Sequence, residues 1–335
     1  MKNAEHYVGN PLQVRGAEEY TLNGGRGDGM HFLYVRNGLG LSAWISISRA
    51  ADLSRLEFLG VNMGYFSPCG YVAPQYYDPN GDGFLKSFTA GFFTTCGLTA
   101  VGMPCTDEGE ILPLHGTISN TPAKLLSREE TAEGLRIKLQ VEECCIFGRK
   151  LCLFREYFFS YRENSIQLKD AVTNCGDGKS PYMILYHCNM GYPLLSEQAV
   201  LKIPNLSVTA RDDYAARFAD TALHLEKPTP NDRERCYYYD VAEKVGLCHA
   251  GIYNDELRRG VILEYRKAQL PRFTQWKMMG QRDYVLGLEP GNCTPDGRDV
   301  LRKNGTLQFL EPGETQETQL TFIFTENRNQ FEGVF

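Results

Sequence analysis

Three side chains in this sequence combine acid or base chemistry with apolar surroundings: His115 in LPLHGTISNTPA, His187 in MILYHCNMGYPLL and Glu289 in DYVLGLEPGNC. An imidazole has a reference pKa of about 6.5 and can give or take a proton near neutrality, while a carboxylate is an acceptor. A histidine and a glutamate set against one ligand would therefore supply paired proton transfer. The neighbours Leu286, Gly287, Leu288 and Pro290 predict burial of Glu289, and a buried carboxylate is costly unless it has partners or a task. For His187 the alternative is a core histidine bonded to a backbone carbonyl. All three are expected at strand ends, with Gly-Tyr-Pro after His187 marking a turn at a sheet edge.

The elements that must position these groups read as strands. Short alternating runs separated by Gly, Asn, Asp and Pro recur along the chain. MHFLYVRNGLGLSAWISIS predicts two strands around a turn at Asn37-Gly38, a dipeptide that accepts the positive φ of a hairpin. GLRIKLQVEE, KLCLFREYFFSY and SIQLKDAVTNC continue as an antiparallel meander, and GVILEYRK, FTQWKMM, DYVLGLE, GTLQFLE and QLTFIFTE carry the habit to the carboxyl terminus. Helices are expected only in short pieces, near 48–56 and 231–246. With no linker, charge run or fixed-period repeat, the expectation is an all-β chain, residues 1–335 forming a single domain of large antiparallel sheets.

Composition narrows the function. Charged residues at 23% and apolar residues at 42% are those of an ordinary globular protein. A net charge of -6 without a basic run argues against nucleic acid, which needs clustered Lys and Arg. The amino-terminal MKNAEHYVGNPLQV lacks an apolar leader and no segment reaches about 18 apolar residues, so a cytoplasmic location with no membrane partner is expected. Eleven cysteines without a C-x-x-C pair read as reduced, packed thiols rather than a zinc site. Gly38 to Ala43 fits a dinucleotide fingerprint, but a strand follows where that motif needs a helix. Serine-hydrolase, nucleotide-hydrolase and zincin motifs are absent.

Taken in order and spacing, LPLHGTISNTPA, YHCNMGYPLL and FTQWKMMGQRDYVLGLEPGN resemble the signature blocks of an uncharacterised branch of the aldose 1-epimerase (galactose mutarotase-like) superfamily. The resemblance spans roughly 85–295. It implies a β-supersandwich and an enzyme interconverting sugar anomers without cofactor or metal, as a monomer or homodimer acting on a small sugar. It also implies His187 as general acid, Glu289 as general base and His115 as a sugar-binding histidine. Arg49 is the corresponding sugar-binding arginine, its alternative being a salt bridge with Asp52. Trp276 and Lys277 complete the substrate-binding set, with the indole against the apolar side of a pyranose. Arg298, Arg302 and Lys303 read either as recognition of an anionic group or as a solvated loop. The neighbours depart from the familiar pattern, with His115-Gly116-Thr117 and Glu289-Pro290-Gly291 in place of His-Gly-Gly and Glu-Thr-Gln. Sugar specificity is therefore not carried over. A non-catalytic carbohydrate-binding protein, or another carbohydrate epimerase or lyase on the same fold, is the alternative.

Overall fold

Strands with period-two burial dominate residues 6–335, the part of the chain that the computed structural model describes. Residues 1–5, the start of the amino-terminal stretch read above, lie outside the described residues. A five-stranded antiparallel meander opens the fold: Gly16–Thr21, His31–Arg36, Leu41–Ser46, Asp52–Phe58 and Val61–Asn62. Its second and third strands form the expected hairpin, with Gly38 at φ 76°.

A nine-stranded sheet runs from Ala123–Glu130 through Gly134–Cys144, Lys150–Ser160 and Ser165–Asn174 to Thr315–Thr325, and on to Arg259–Tyr265, Leu247–Asn254 and Ala199–Lys202. Glu243–Lys244 pairs beside it. A seven-stranded sheet orders Asn205–Ala210, Arg235–Val241, Arg272–Met279, Tyr284–Gly291, Ser180–Gly191 and Gln308–Leu310, with Phe93–Leu98 also paired to Ser180–Gly191. One hydrophobic cluster draws on all three sheets, with Leu33 and Ile45 from the first, Leu139 and Leu168 from the second, and Tyr186 and Leu288 from the third. The all-β expectation holds.

Both expected helical segments are instead extended. Residues 48–56 turn into the strand Asp52–Phe58, and 231–246 hold the strands Arg235–Val241 and Glu243–Lys244. Tyrosines explain the second case. Tyr237 and Tyr239 enter the core while Tyr238 faces the other way and donates to Asp296, an alternation that suits a pleated, half-buried surface. Helices form at Asp213–Ala216, Arg298–Lys303 and Arg328–Val334. No described helix is long and apolar enough to cross a membrane.

A buried polar knot joins the sheets. The Arg155 guanidinium donates to Asp170 (2.9 and 2.7 Å), Asp52 (2.7 Å), Thr95 (2.7 Å) and the Ala50 carbonyl (2.9 Å). All eleven cysteines are free thiols, and six are buried as small apolar groups.

Candidate active site

Three adjacent strands carry the reactive groups. His187 projects from Ser180–Gly191, Glu289 from Tyr284–Gly291, and Thr274 and Trp276 from Arg272–Met279. The register that opposes Cys188 to Leu288 and Thr274 to Glu289 sets the carboxyl between His187 and Thr274 on one face. Tyr186, Cys188, Leu286 and Leu288 point the other way into the core. His187 and Glu289 therefore lie inside their strands, not at strand ends as expected, because the alternate residues beyond them are still needed as core.

His187 Nε2 and Glu289 Oε1 approach to 3.2 Å, with side chains 6% and 2% exposed. The contact is close but off line for a hydrogen bond. His187 Nδ1, Glu289 Oε1 and Thr274 Oγ1 have no hydrogen-bond partner in the protein. Burial pushes the Glu289 carboxyl well above the usual carboxylate range, and Glu234 nearby adds to the effect. Burial also takes the His187 imidazole down to about 4. Desolvation disfavours both charged forms and so favours a neutral imidazole beside a protonated carboxyl.

Room for that carboxyl comes from Gly287, two residues away on the same face. A Cβ there would sit 2.2 Å from Glu289 Oε1 and 3.0 Å from Trp276 Cβ. Gly287→Ala is expected to displace the carboxyl and lower turnover by roughly 10²-fold, the scale of a 1 Å misplacement. Retained melting temperature together with lost kcat checks it; unchanged kcat would refute it.

His115 lies in a loop before the 3-10 turn Ile118–Asn120 and has φ 60°, an uncommon conformation for a residue other than glycine. Its backbone holds that shape by donating to the Gly102 carbonyl (2.9 Å) and accepting from Gly97 (3.1 Å). Gly116 must follow, because a Cβ there would meet the Gly97 carbonyl oxygen at 2.3 Å. The Gly102 amide donates to His115 Nδ1 (3.3 Å), so the neutral ring carries its proton on Nε2. Burial, then the neighbouring His187, lowers the pKa of this ring.

These groups surround a cavity of about 220 Å³, lined also by Phe84, Phe88, Leu114, Arg211, Glu234 and Cys236. The volume falls below the ~300–1,000 Å³ of drug-sized pockets and suits a small, single-ring ligand. Ring centroids stand 5.5 Å apart for His115 and His187, 5.2 Å for His187 and Trp276, and 5.3 Å for Phe88 and His187. A larger hollow of about 460 Å³ beside Lys138, Glu156 and Lys169 contains no such acid-base pair.

Four of the six expected site residues thus meet at one cavity: His115, His187, Trp276 and Glu289. Arg49 does not reach it. Its guanidinium is buried and donates to the carbonyls of Val72, Ser87 and Ser119, while Asp52, its expected alternative partner, pairs with Arg155. Lys277 is excluded by alternation, since Trp276 faces the cavity and the next residue faces away. Its ammonium pairs with Glu226 at 2.7 Å. Arg298 and Arg302 are bound to Asp107, and to Glu110 and Glu108 respectively.

Arg211 and Glu234 were not foreseen. Glu234 accepts from Arg211 Nη2 and Trp276 Nε1, both at 2.8 Å, fixing the indole at the cavity wall. Burial would raise the Glu234 carboxyl, but these two donors outweigh it and hold it low. Reading 231–246 as helix hid Glu234; as a strand, its alternation with Cys236 and Tyr238 would have set it on the face away from the core.

The model of a family described as a domain of unknown function, DUF4432, matches residues 27–323. The chain belongs to the DUF4432 family. No curated protein matches the sequence. A candidate aldose 1-epimerase from Klebsiella pneumoniae is 29% identical, with 99% of this chain and 92% of that one covered at a TM-score of 0.90. A galactose mutarotase-like protein from Clostridium acetobutylicum shares 13% identity over 93% of this chain and 99% of that one, TM-score 0.66. For a galactose 1-epimerase from Lactobacillus acidophilus the values are 14% identity, 92% and 98% coverage, and TM-score 0.61. This DUF4432 protein therefore has the galactose mutarotase-like fold.

Proposed function

We propose that this DUF4432 protein is a cytoplasmic sugar mutarotase of the aldose 1-epimerase type, with His187 as general acid and Glu289 as general base. The observation that carries the reading is the unpartnered His187–Glu289 pair, 3.2 Å apart in a cavity of one-ring size. The likeness to the Klebsiella protein supports it.

Anomer exchange breaks the bond between C1 and the ring oxygen. His187 Nε2 gives a proton to the ring oxygen while Glu289 takes one from the anomeric hydroxyl, leaving the open-chain aldehyde. Rotation about C1–C2 presents the other aldehyde face. Glu289 then returns its proton to the carbonyl oxygen as the C5 hydroxyl attacks C1, and His187 takes the hydroxyl proton. Each turnover passes through both proton arrangements. The one that burial favours, neutral imidazole and protonated carboxyl, is the form that closes the open chain. Binding a cyclic sugar moves the proton to the imidazole, and sugar hydroxyls against the ionised groups offset the cost. Trp276 offers its face to the ring, His115 Nε2–H donates to a hydroxyl, and Arg211 and Glu234 orient the rest.

Two-dimensional exchange NMR between α and β anomers tests the activity across hexoses, pentoses and sugar phosphates. No acceleration for any of them would sink the reading, and binding without turnover would make the chain a carbohydrate-binding protein instead.

The pair is competent when it holds one proton. The free enzyme gains a second only as pH falls through the lowered value of His187, about 4, and loses the first only above the raised value of Glu289. We expect kcat/KM to stay level from about pH 5 to 7, with its acid limb near 4 rather than near 6.5. An acid limb at 6.5 would contradict this.

A further inference from the structure

We infer that the cavity selects an uncharged monosaccharide with an apolar edge, of the deoxyhexose class, and excludes sugar phosphates and uronates. This deepens the proposed function and rests on the sugar reading of the site.

Charge carries the first half. Arg211 is the one Lys or Arg among the described residues lining the cavity, against three carboxyl groups, Asp82, Glu234 and Glu289. It is already engaged by Glu234 at 2.8 Å and lies 3.7 Å from Asp212. The other candidate cations, Lys277, Arg298 and Arg302, are held in ion pairs outside the lining. A phosphate or carboxylate entering the cavity would lose water and meet no uncommitted cation.

The division of polar and apolar lining carries the second half. The sheet forms the floor, and there stand the three lining atoms that are both fully buried and without a hydrogen-bond partner: His187 Nδ1, Thr274 Oγ1 and Glu289 Oε1. What covers the floor comes from the connecting segments. Phe84, Phe88 and Leu114 are buried and form one apolar cluster, and Leu85 and Met103 extend it to the rim. A hydroxymethyl group turned toward Phe84, Phe88 and Leu114 would give up water to face an apolar wall, whereas a methyl group in the same place buries apolar surface. The opposite edge of the sugar, with its ring oxygen and anomeric hydroxyl, then faces His187 and Glu289.

The test uses the unmodified chain and matched series sharing one ring configuration: D-fucose, D-galactose, D-galacturonate and D-galactose 6-phosphate, with the corresponding glucose and mannose sets. Exchange NMR gives kcat/KM, and ligand-observed NMR gives binding on the same samples. The deoxy sugar of the accepted configuration is expected to exceed its hydroxymethyl counterpart by roughly ten- to a hundredfold, the discrimination a hydrophobic pocket achieves against one added hydroxyl. The phosphate and the uronate should be neither bound nor turned over. Equal or better turnover of the hydroxymethyl sugar, or any preference for the charged members, overturns the inference while leaving the mutarotase intact. If no sugar is turned over, the proposed function fails, and the binding order alone decides the inference. Binding of the deoxy sugars first would keep it, whereas another order or no binding would end it.

Discussion

Glu289→Gln is expected to lower kcat by roughly 10²–10⁴-fold, the usual contribution of a positioned proton-transfer group, with little change in KM. The amide keeps the shape of the carboxyl but cannot accept the anomeric proton. Because burial disfavours the charged carboxylate, the neutral amide adds no desolvation cost, and the melting temperature should hold or rise slightly. That separates a catalytic loss from a folding loss. His187→Asn should fall by a similar factor, and the double variant should fall little further, since two groups acting as one unit are not additive. Full activity in Glu289→Gln, or losses that multiply in the double variant, would show that the pair does not move protons together.

The largest expected effect on stability lies elsewhere, at Arg155. Its side chain is wholly buried and bridges Asp52 and Asp170, themselves 7% and 0% exposed, each at 2.7 Å. Burial raises the Asp52 carboxyl and Arg155, with Thr95, counters it. Arg155→Met leaves two carboxyl groups without their cation and is expected to cost about 3–5 kcal/mol of unfolding free energy, the usual penalty for breaking a buried pair from one side. Adding Asp52→Asn and Asp170→Asn should recover much of that, because the stranded charges rather than the lost bridge account for most of it. Denaturant titration of the single and triple variants measures both. A loss below about 1 kcal/mol in the single variant would mean that the knot is not under the electrostatic load its burial implies.

Residues 52 and 155 also show where reading a chain by proximity fails. Arg49 and Asp52 are close neighbours in sequence, and a salt bridge between them was the local alternative. In the folded protein Asp52 is claimed by a guanidinium 103 residues away, and Arg49 spends its donors on three carbonyls. Sequence separation says little about pairing once sheets bring distant strands together. Lys277 failed for a reason that was legible: in a strand, the residue after a cavity-facing Trp276 must face the other way.

The sequence by itself determined the strand-rich architecture, because period-two alternation with Gly and Asn turns is a local property that any sheet must respect. It also marked His115, His187 and Glu289, since an ionisable group among apolar neighbours is visible without knowing the fold. Only the tertiary structure decided that these three share a cavity with Trp276, because that depends on register between strands far apart in the chain. It alone added Arg211, a polar residue in a polar stretch that no local contrast distinguishes, and Glu234, whose side of the sheet follows only once Arg235–Val241 is a strand. It alone turned the balance against the charged forms of His187 and Glu289, because desolvation is a property of the assembled walls and not of any one residue.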